Sequence, residues 1–222
     1  MNDALLVLAP PLLIVPAMGF LSRLRCESPV MTEIRRKALH VSIGFAALGF
    51  PYLLTQPWMV LSGLMLVAAW MLAVRYSRSL GRRFGLCLSG AGRDSWGELY
   101  FALALAFLLL SASPGSPAYV IPVLLLAIPD ALAAIVGRAW PAGPYRLFGG
   151  QKSLAGSGVF FITAFGLTAV LLQAAGVTDT VRITLLVAAT TTLLEAASPR
   201  GTDNLTVPLS AWLVLRTIVE GA

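Results

Sequence analysis

Ten acidic and 16 basic side chains are spread over 222 residues, and a few of them stand where chemistry is the simplest reason for their presence. Asp130 interrupts an apolar run from about Tyr119 to Val136, preceded by Pro129 and followed by Ala131. Glu195 sits near the end of the run Val181–Ala197, and Asp203-Asn204 come shortly after it. His40 lies one turn into another apolar run, just beyond Glu33-Ile34-Arg35-Arg36-Lys37. Ionisable groups inside or at the edge of membrane spans are costly and are usually functional. Carboxylates in such places can hold a divalent cation together with substrate phosphates, or take a proton from an attacking hydroxyl. Asp130, Glu195 and Asp203 are therefore candidate metal ligands and catalytic groups, with Asn204 as a neutral oxygen ligand or orienter. His40 says less alone, since a lone histidine bridges two helices as readily as it serves a site.

The complementary half lies between Gly137 and Gly158. Lys152 and Arg138 can pair with phosphate oxygens, and Gly137, Gly149, Gly150 and Gly156 let the backbone approach a ligand, with N–H groups free to cradle an anion. Ser153 or Ser157 can cap the following helix and set its N-terminus against the same anion. Part of this stretch looks like a Walker loop, but Gln151 stands before Lys152 where that motif requires glycine. No strand is expected ahead of it either, so a P-loop nucleotidase fold is excluded.

These residues need elements to hold them, and composition says which. The chain is 58% hydrophobic and 12% charged, with mean hydropathy +0.83, whereas soluble domains carry about 25% charged residues. A soluble globular domain, a disordered chain, a coiled coil and a disulfide scaffold are all disfavoured. Runs of bilayer-spanning length fall at about Ala4–Leu21, Ala38–Leu54, Trp58–Val74, Gly97–Ser111, Tyr119–Val136, Gly158–Ala175 and Val181–Ala197, with a shorter one at Leu205–Val219. The expected fold is a single all-helical, polytopic membrane domain over residues 1–222 with seven or eight crossings. Fourteen of the 16 basic residues fall in alternate links, those after the first, third, fifth and seventh runs. The positive-inside rule then puts these links in the cytoplasm and the N-terminus outside. His40, Asp130, Glu195 and Asp203 all map to that same cytoplasmic side, which argues for a site at the inner leaflet and against a continuous pore.

Several plainer readings accompany these. The net charge of +6 records the sidedness and does not imply nucleic-acid binding. Cys26 and Cys87 fall on the cytoplasmic side and are not expected to pair. The first run lacks the basic leading flank of a signal peptide. Arg75, Arg78, Arg82 and Arg83 are expected to orient the chain and meet headgroups, and Trp58, Trp70, Trp96, Trp140 and Trp212 to form membrane belts. A transporter or scramblase would call for polar residues across the whole bilayer and often for inverted repeats, and neither is seen.

Three blocks carry a family pattern. The first is Glu33-Ile-Arg-Arg-Lys37-Ala-Leu-His40 with Gly44. The second is Asp130-x-x-Ala133-x-x-x-Gly137-Arg138, followed by Gly149, Lys152-Ser153, Gly156-Ser157 and Phe160. The third is Glu195-x-x-x-x-x-Gly201-Thr-Asp203-Asn204-Leu-Thr-Val-Pro208, and Gly97-Glu98 is a weaker feature. Together they resemble the polyprenol kinase family: dolichol kinase, phytol kinase and CTP-dependent diacylglycerol kinase, related in turn to phosphatidate cytidylyltransferase. The chain is short beside dolichol kinases and fits the compact members better. The resemblance implies CTP as phosphoryl donor, Mg²⁺ as cofactor, and an isoprenoid alcohol or diacylglycerol as acceptor. It implies catalysis by Asp130, Lys152, Glu195 and Asp203, with metal held by Asp130, Glu195 and Asp203. Nucleotide contacts are expected from Gly137, Arg138, Gly149, Gly150, Lys152, Ser153, Gly156, Ser157, Asn204 and His40. The nearest rival is cytidylyl transfer to phosphatidate. A bacterial inner membrane, with the site facing the cytoplasm, is the expected location.

Overall fold

The computed structural model of the chain describes residues 3–24, 28–88, 95–219 and 221. It is mostly helical: α1 (Asp3–Leu6), α2 (Ala9–Leu21), α3 (Pro29–Ala47), α4 (Phe50–Leu53), α5 (Pro57–Tyr76), α6 (Arg78–Leu88) and α7 (Gly97–Ser111) come first. After them run α8 (Pro117–Ala127), α9 (Pro129–Ala139), the strands β1 (Pro144–Leu147) and β2 (Gly150–Ser153), then α10 (Leu154–Ala174), α11 (Thr180–Ala197) and α12 (Asp203–Ile218). Among the described residues, four stretches are long and apolar enough to cross a membrane: Pro57–Tyr76, Pro117–Ala139, Leu154–Ala174 and Thr180–Ala197. Ala9–Leu21 and Gly97–Ser111 are apolar but shorter. Four of the seven or eight expected runs thus coincide with helices of spanning length. The others fall short for visible reasons: the first is broken between α1 and α2. The second begins as the charged start of α3, and the last is the 16-residue α12 with Asp203 at its head and Arg216 near its end.

The expectation of an all-helical chain fails at β1 and β2, which pair antiparallel with Pro144 opposite Ser153 and Leu147 opposite Gly150. Phe148 (φ 46°) and Gly149 (φ 80°) are both left-handed, as a two-residue type I′ hairpin turn requires. Lys152 therefore lies within a strand, opposite Tyr145. The chain still differs from a P-loop, in which the lysine follows a parallel strand and opens a helix.

Helix α8 forms the centre of the bundle. Nine of its eleven residues, from Ala118 to Ala127, are buried, the signature of a helix enclosed on all sides. On one side α3 lies against it so closely that a Cβ on Gly44 would come within 2.6 Å of the Ala127 Cβ. The Tyr119 hydroxyl ties the same two helices by donating to the Ala47 carbonyl at 2.6 Å. α12 packs on α8 and α7, α10 on α9 and α11, and α5 on α7 and α6.

Two of the expected belt residues pack against neighbouring helices, and Arg75, though exposed, is tied to the segment that opens α7. Trp70 donates to the Met18 sulfur at 3.4 Å and packs edge-on to Phe84. Trp212 packs edge-on to Phe107. Arg75 donates to the Ser95 carbonyl at 3.0 Å and lies 3.9 Å over the Trp96 ring, so it braces the start of α7. Trp58 and Trp140 are exposed. The expectation for the cysteines falls on Cys26 and the Cys87 side chain, which lie outside the described residues.

Candidate active site

Pro129 has no amide hydrogen, so it cannot continue the helical ladder of α8. The chain breaks at Ile128 (φ −103°, ψ −66°) and restarts as α9. Asp130 thereby falls in the first turn of α9, where the helix macrodipole favours a carboxylate. Sequence neighbours offer it no partner, and the structure supplies one from a distant element: Lys37 of α3 donates to Asp130 Oδ2, with both side chains buried. Beside Lys37 on α3, Arg36 donates to Glu33 Oε1, one turn earlier, at 2.6 Å. Burial opposes the charge on Arg36, but Glu33 outweighs it, and the guanidinium is held above its ordinary value.

The hairpin delivers the second lysine. Gly150 packs against Ser198 and Pro199 at the end of α11, where an added Cβ would lie 3.4 Å from Pro199 Cα. At the other end of β2, Ser153, one of the two serines expected as caps, caps α10 by accepting from the Gly156 N–H at 3.1 Å. Between these anchors Lys152 donates to Glu195 Oε1 at 2.5 Å and to Asp203 Oδ2 at 3.0 Å. It thus joins the end of α11 to the start of α12. Burial works against the ammonium, yet Asp203 and Glu195 outweigh it and raise Lys152 above the ordinary lysine value.

Both lysine–carboxylate groups open onto one cavity of about 340 Å³, within the size range of ligand pockets. Its lining includes Asp130, Gly137, Arg138, Lys152, Ser153, Gly156, Ser157, Glu195 and Asp203. Nine of the residues singled out from sequence are brought together there. Arg138 is the cation best placed to meet an anion, because among the described residues it makes no ion pair or hydrogen bond.

Other expected roles change. Gly137 and Gly156 line the cavity, but their small size serves helix packing: an added Cβ on Gly156 would lie 3.0 Å from the Ala133 carbonyl and 3.4 Å from Gly137 Cα. Gly149 makes the hairpin turn, and neither it nor Gly150 lines the cavity. The Ser157 hydroxyl is engaged with the Tyr145 hydroxyl at 2.6 Å. His40 and Asn204 also stay outside the lining. Asn204 braces α12 against α7: its Nδ2 donates to the Gly97 carbonyl at 2.8 Å, where Gly97 and Gly201 meet so closely that a side chain on Gly201 would lie 2.7 Å from Gly97 Cα. The sequence reading missed Glu33, Arg36 and Lys37 as cavity residues, although their nearness to His40 in one charged block was a usable signal.

No three His, Cys, Asp or Glu side chains among the described residues cluster tightly enough to cage a metal ion. Mg²⁺ does not require such a cage, since it is commonly held by one or two carboxylates plus substrate phosphates. One observation fits such an ion: Glu195 Oε2 is buried and has no hydrogen-bond partner, while its other oxygen is taken by Lys152.

A helical bundle with helices of membrane-spanning length encloses a cavity of paired lysines and carboxylates, a combination that belongs to polytopic membrane proteins with a polar site. Comparison narrows the class. The chain is 33% identical over 190 residues to the phytol kinase of Synechocystis sp., an alignment covering 82% of this chain and 78% of that protein. It belongs to the polyprenol and phytol kinase family. No protein-family model matches the chain, and no solved structure does.

Proposed function

We propose that this protein is a CTP-dependent kinase that phosphorylates a lipid alcohol, isoprenoid or diacylglycerol, at the cytoplasmic face of a bacterial inner membrane. The observation that carries the reading is the shared cavity. Lys152, Arg138 and Lys37 supply positive charge there, and Asp130, Glu195 and Asp203 supply carboxylates. Kinship with a protein named phytol kinase supports phosphoryl transfer to an isoprenoid alcohol.

Arg138 takes up the donor phosphates, being, among the described residues of the cavity lining, a cation without an ion pair. Lys152 shifts part of its hydrogen bonding from Glu195 and Asp203 to the transferring group, where fixed charge stabilises the transition state. Glu195, through its unpartnered oxygen, would hold Mg²⁺ with one of the other two carboxylates, Asp130 or Asp203, and the donor phosphates. When bound, Mg²⁺ neutralises charge on the donor phosphates. One cavity carboxylate accepts the proton of the acceptor hydroxyl. The full set of seven or eight crossings, with the N-terminus outside and the basic links inside, belongs to the same proposal. It is supported by the placement of fourteen of the 16 basic residues.

Purified protein given CTP labelled at the γ- or the α-phosphate, with a panel of lipid alcohols and phosphatidate, tests the reading. The expected result is metal-dependent transfer of the γ-label to lipid, with the α-label retained in CDP. Transfer of the α-label with release of pyrophosphate would make the protein a cytidylyltransferase instead, and the absence of any labelled lipid would overturn both.

A further inference from the structure

The four arginines at the junction of α5 and α6 are not placed alike. Arg75, Arg78 and Arg82 line one groove of about 460 Å³, together with Tyr76, Ser77 and Gly81. Arg83 stands outside that lining and rests over the Phe84 ring at 5.3 Å. The groove exists because the chain turns a corner at Ser77, which is extended (φ −84°, ψ 123°). Ser77 then starts α6: its carbonyl accepts from the Gly81 N–H at 2.8 Å, and its hydroxyl from the Leu80 N–H at 3.5 Å. Phe84, buried edge-on against Trp70, draws α6 back onto the bundle. Arg78 and Arg82 are left exposed.

The groove is set for an anion. No acidic side chain among the described residues lines it. The Arg78 guanidinium makes no ion pair or hydrogen bond among those residues. Arg82 donates through Nε to the Arg78 carbonyl at 3.3 Å, which steers its two terminal nitrogens along the helix. Arg75 is fixed by the Ser95 carbonyl and the Trp96 ring, so its charge is held in place. Guanidiniums gathered around one space repel one another, and a phosphate answers all of them at once by accepting charge-assisted hydrogen bonds.

The surroundings choose the source of that phosphate. α5 is of spanning length, so the groove at its end falls where headgroups would lie. Leu61, Met65, Leu72 and Tyr76 are all exposed, and their spacing puts them on one face of α5. They form an apolar track that ends at the arginines. A soluble phosphate compound would leave this track unused, whereas a phospholipid uses track and groove together. From this juxtaposition we infer that Arg75, Arg78 and Arg82 seat the phosphate of an anionic phospholipid whose acyl chains lie along α5. The seat is at the same end of the bundle as the polar cavity. Ser95, which holds Arg75, itself donates to the Arg200 carbonyl at 3.1 Å, and Asp203 follows three residues on. The inference does not depend on which reaction the cavity performs.

Native mass spectrometry of the purified full chain in a neutral detergent tests the seat, with phosphatidylglycerol, phosphatidylcholine and inorganic phosphate as probes. Phosphatidylglycerol is expected to be retained at concentrations where the other two are not. Arg78→Ala and Arg82→Ala are each expected to weaken that retention about tenfold, the worth of one charge-assisted hydrogen bond. Arg83→Ala removes the same charge from the same helix outside the groove, and is expected to change retention by less than about twofold. In the unmodified protein, phosphatidylglycerol bearing a diazirine near its headgroup is expected to label peptides of α5 and α6, a readout that needs no variant to fold. Equal losses in all three variants would reduce the effect to net charge and overturn the seat, as would labels confined to other helices. Retention of phosphatidylcholine as strong as that of phosphatidylglycerol would overturn the preference for an anionic lipid. Equally strong retention of inorganic phosphate would make the groove a site for a soluble anion and overturn the lipid as its occupant.

Discussion

Lys152 is the residue on which the two acidic segments converge, since it donates to Glu195 and Asp203 together. Lys152→Ala leaves those carboxylates facing each other without a cation. It is expected to lower phosphoryl transfer by at least about 100-fold, as loss of a fixed transition-state charge does, measured with γ-labelled CTP. The pH dependence has a definite sign. Because the folded protein raises Lys152 above its ordinary value of 10.5, its ion pairs contribute fully below that value and fade only as pH rises through the raised one. An alkaline fall in activity or stability below about pH 10 therefore belongs to another group, and a pH titration of Lys152→Ala beside the unmodified protein would show that limb persisting. Lys37 and Asp130 form the more deeply buried pair. Lys37→Met alone strands a buried carboxylate and is expected to cost about 3–5 kcal/mol of stability. Adding Asp130→Leu is expected to recover much of that in thermal unfolding, but to recover no activity, because the cavity then lacks a carboxylate as well as a cation. Recovery of activity in the double variant would remove Asp130 from the site.

At the scale of elements, the close approach of α3 and α8 sets where Lys37 meets α9. Gly44→Val puts atoms into space already held by Ala127. It is expected to destabilise the bundle by about 1–3 kcal/mol through overpacking and to lower activity with it, whereas Gly19→Ala, at a position with open space around it, is expected to do neither. The elements also show what a sequence can reveal. The run Trp58–Val74 appears within Pro57–Tyr76, Val181–Ala197 within Thr180–Ala197, and of the two serines expected as caps Ser153 takes the role. The hairpin was hidden because its turn is Phe148-Gly149. Phenylalanine rarely accepts a positive φ, so the usual Asn-Gly or Asp-Gly signal is absent. The Lys37 partner of Asp130 was hidden for another reason: it lies 93 residues away, and no local spacing reports such a contact. Gly137 and Gly156 line the cavity and also admit a neighbouring helix, and in sequence a glycine that admits a helix looks the same as one that admits a ligand.

For the whole molecule, the basic links and the cavity are proposed to share one side of the membrane, and exposed positions on the two sides can test this. In a chain carrying Cys26→Ser and Cys87→Ser, a cysteine replacing Phe148, which is 79% exposed at the hairpin tip, is expected to react with a membrane-impermeant maleimide only after spheroplasts are opened. A cysteine replacing the exposed Ser113 is expected to react while they are intact, and the reverse pattern would invert the proposed orientation. The same pairing of Lys37 with Asp130 bears on how the chain is made. Synthesis at 5–20 residues per second separates the two by about 5–20 s, during which α3 has emerged and the carboxylate that will neutralise it has not. Lys37 has to wait with its charge in water or among headgroups, so α3 takes its final depth only once α9 arrives. Assembly of this site is therefore paced by the ribosome, with the oldest piece of the cavity settled by a much younger one.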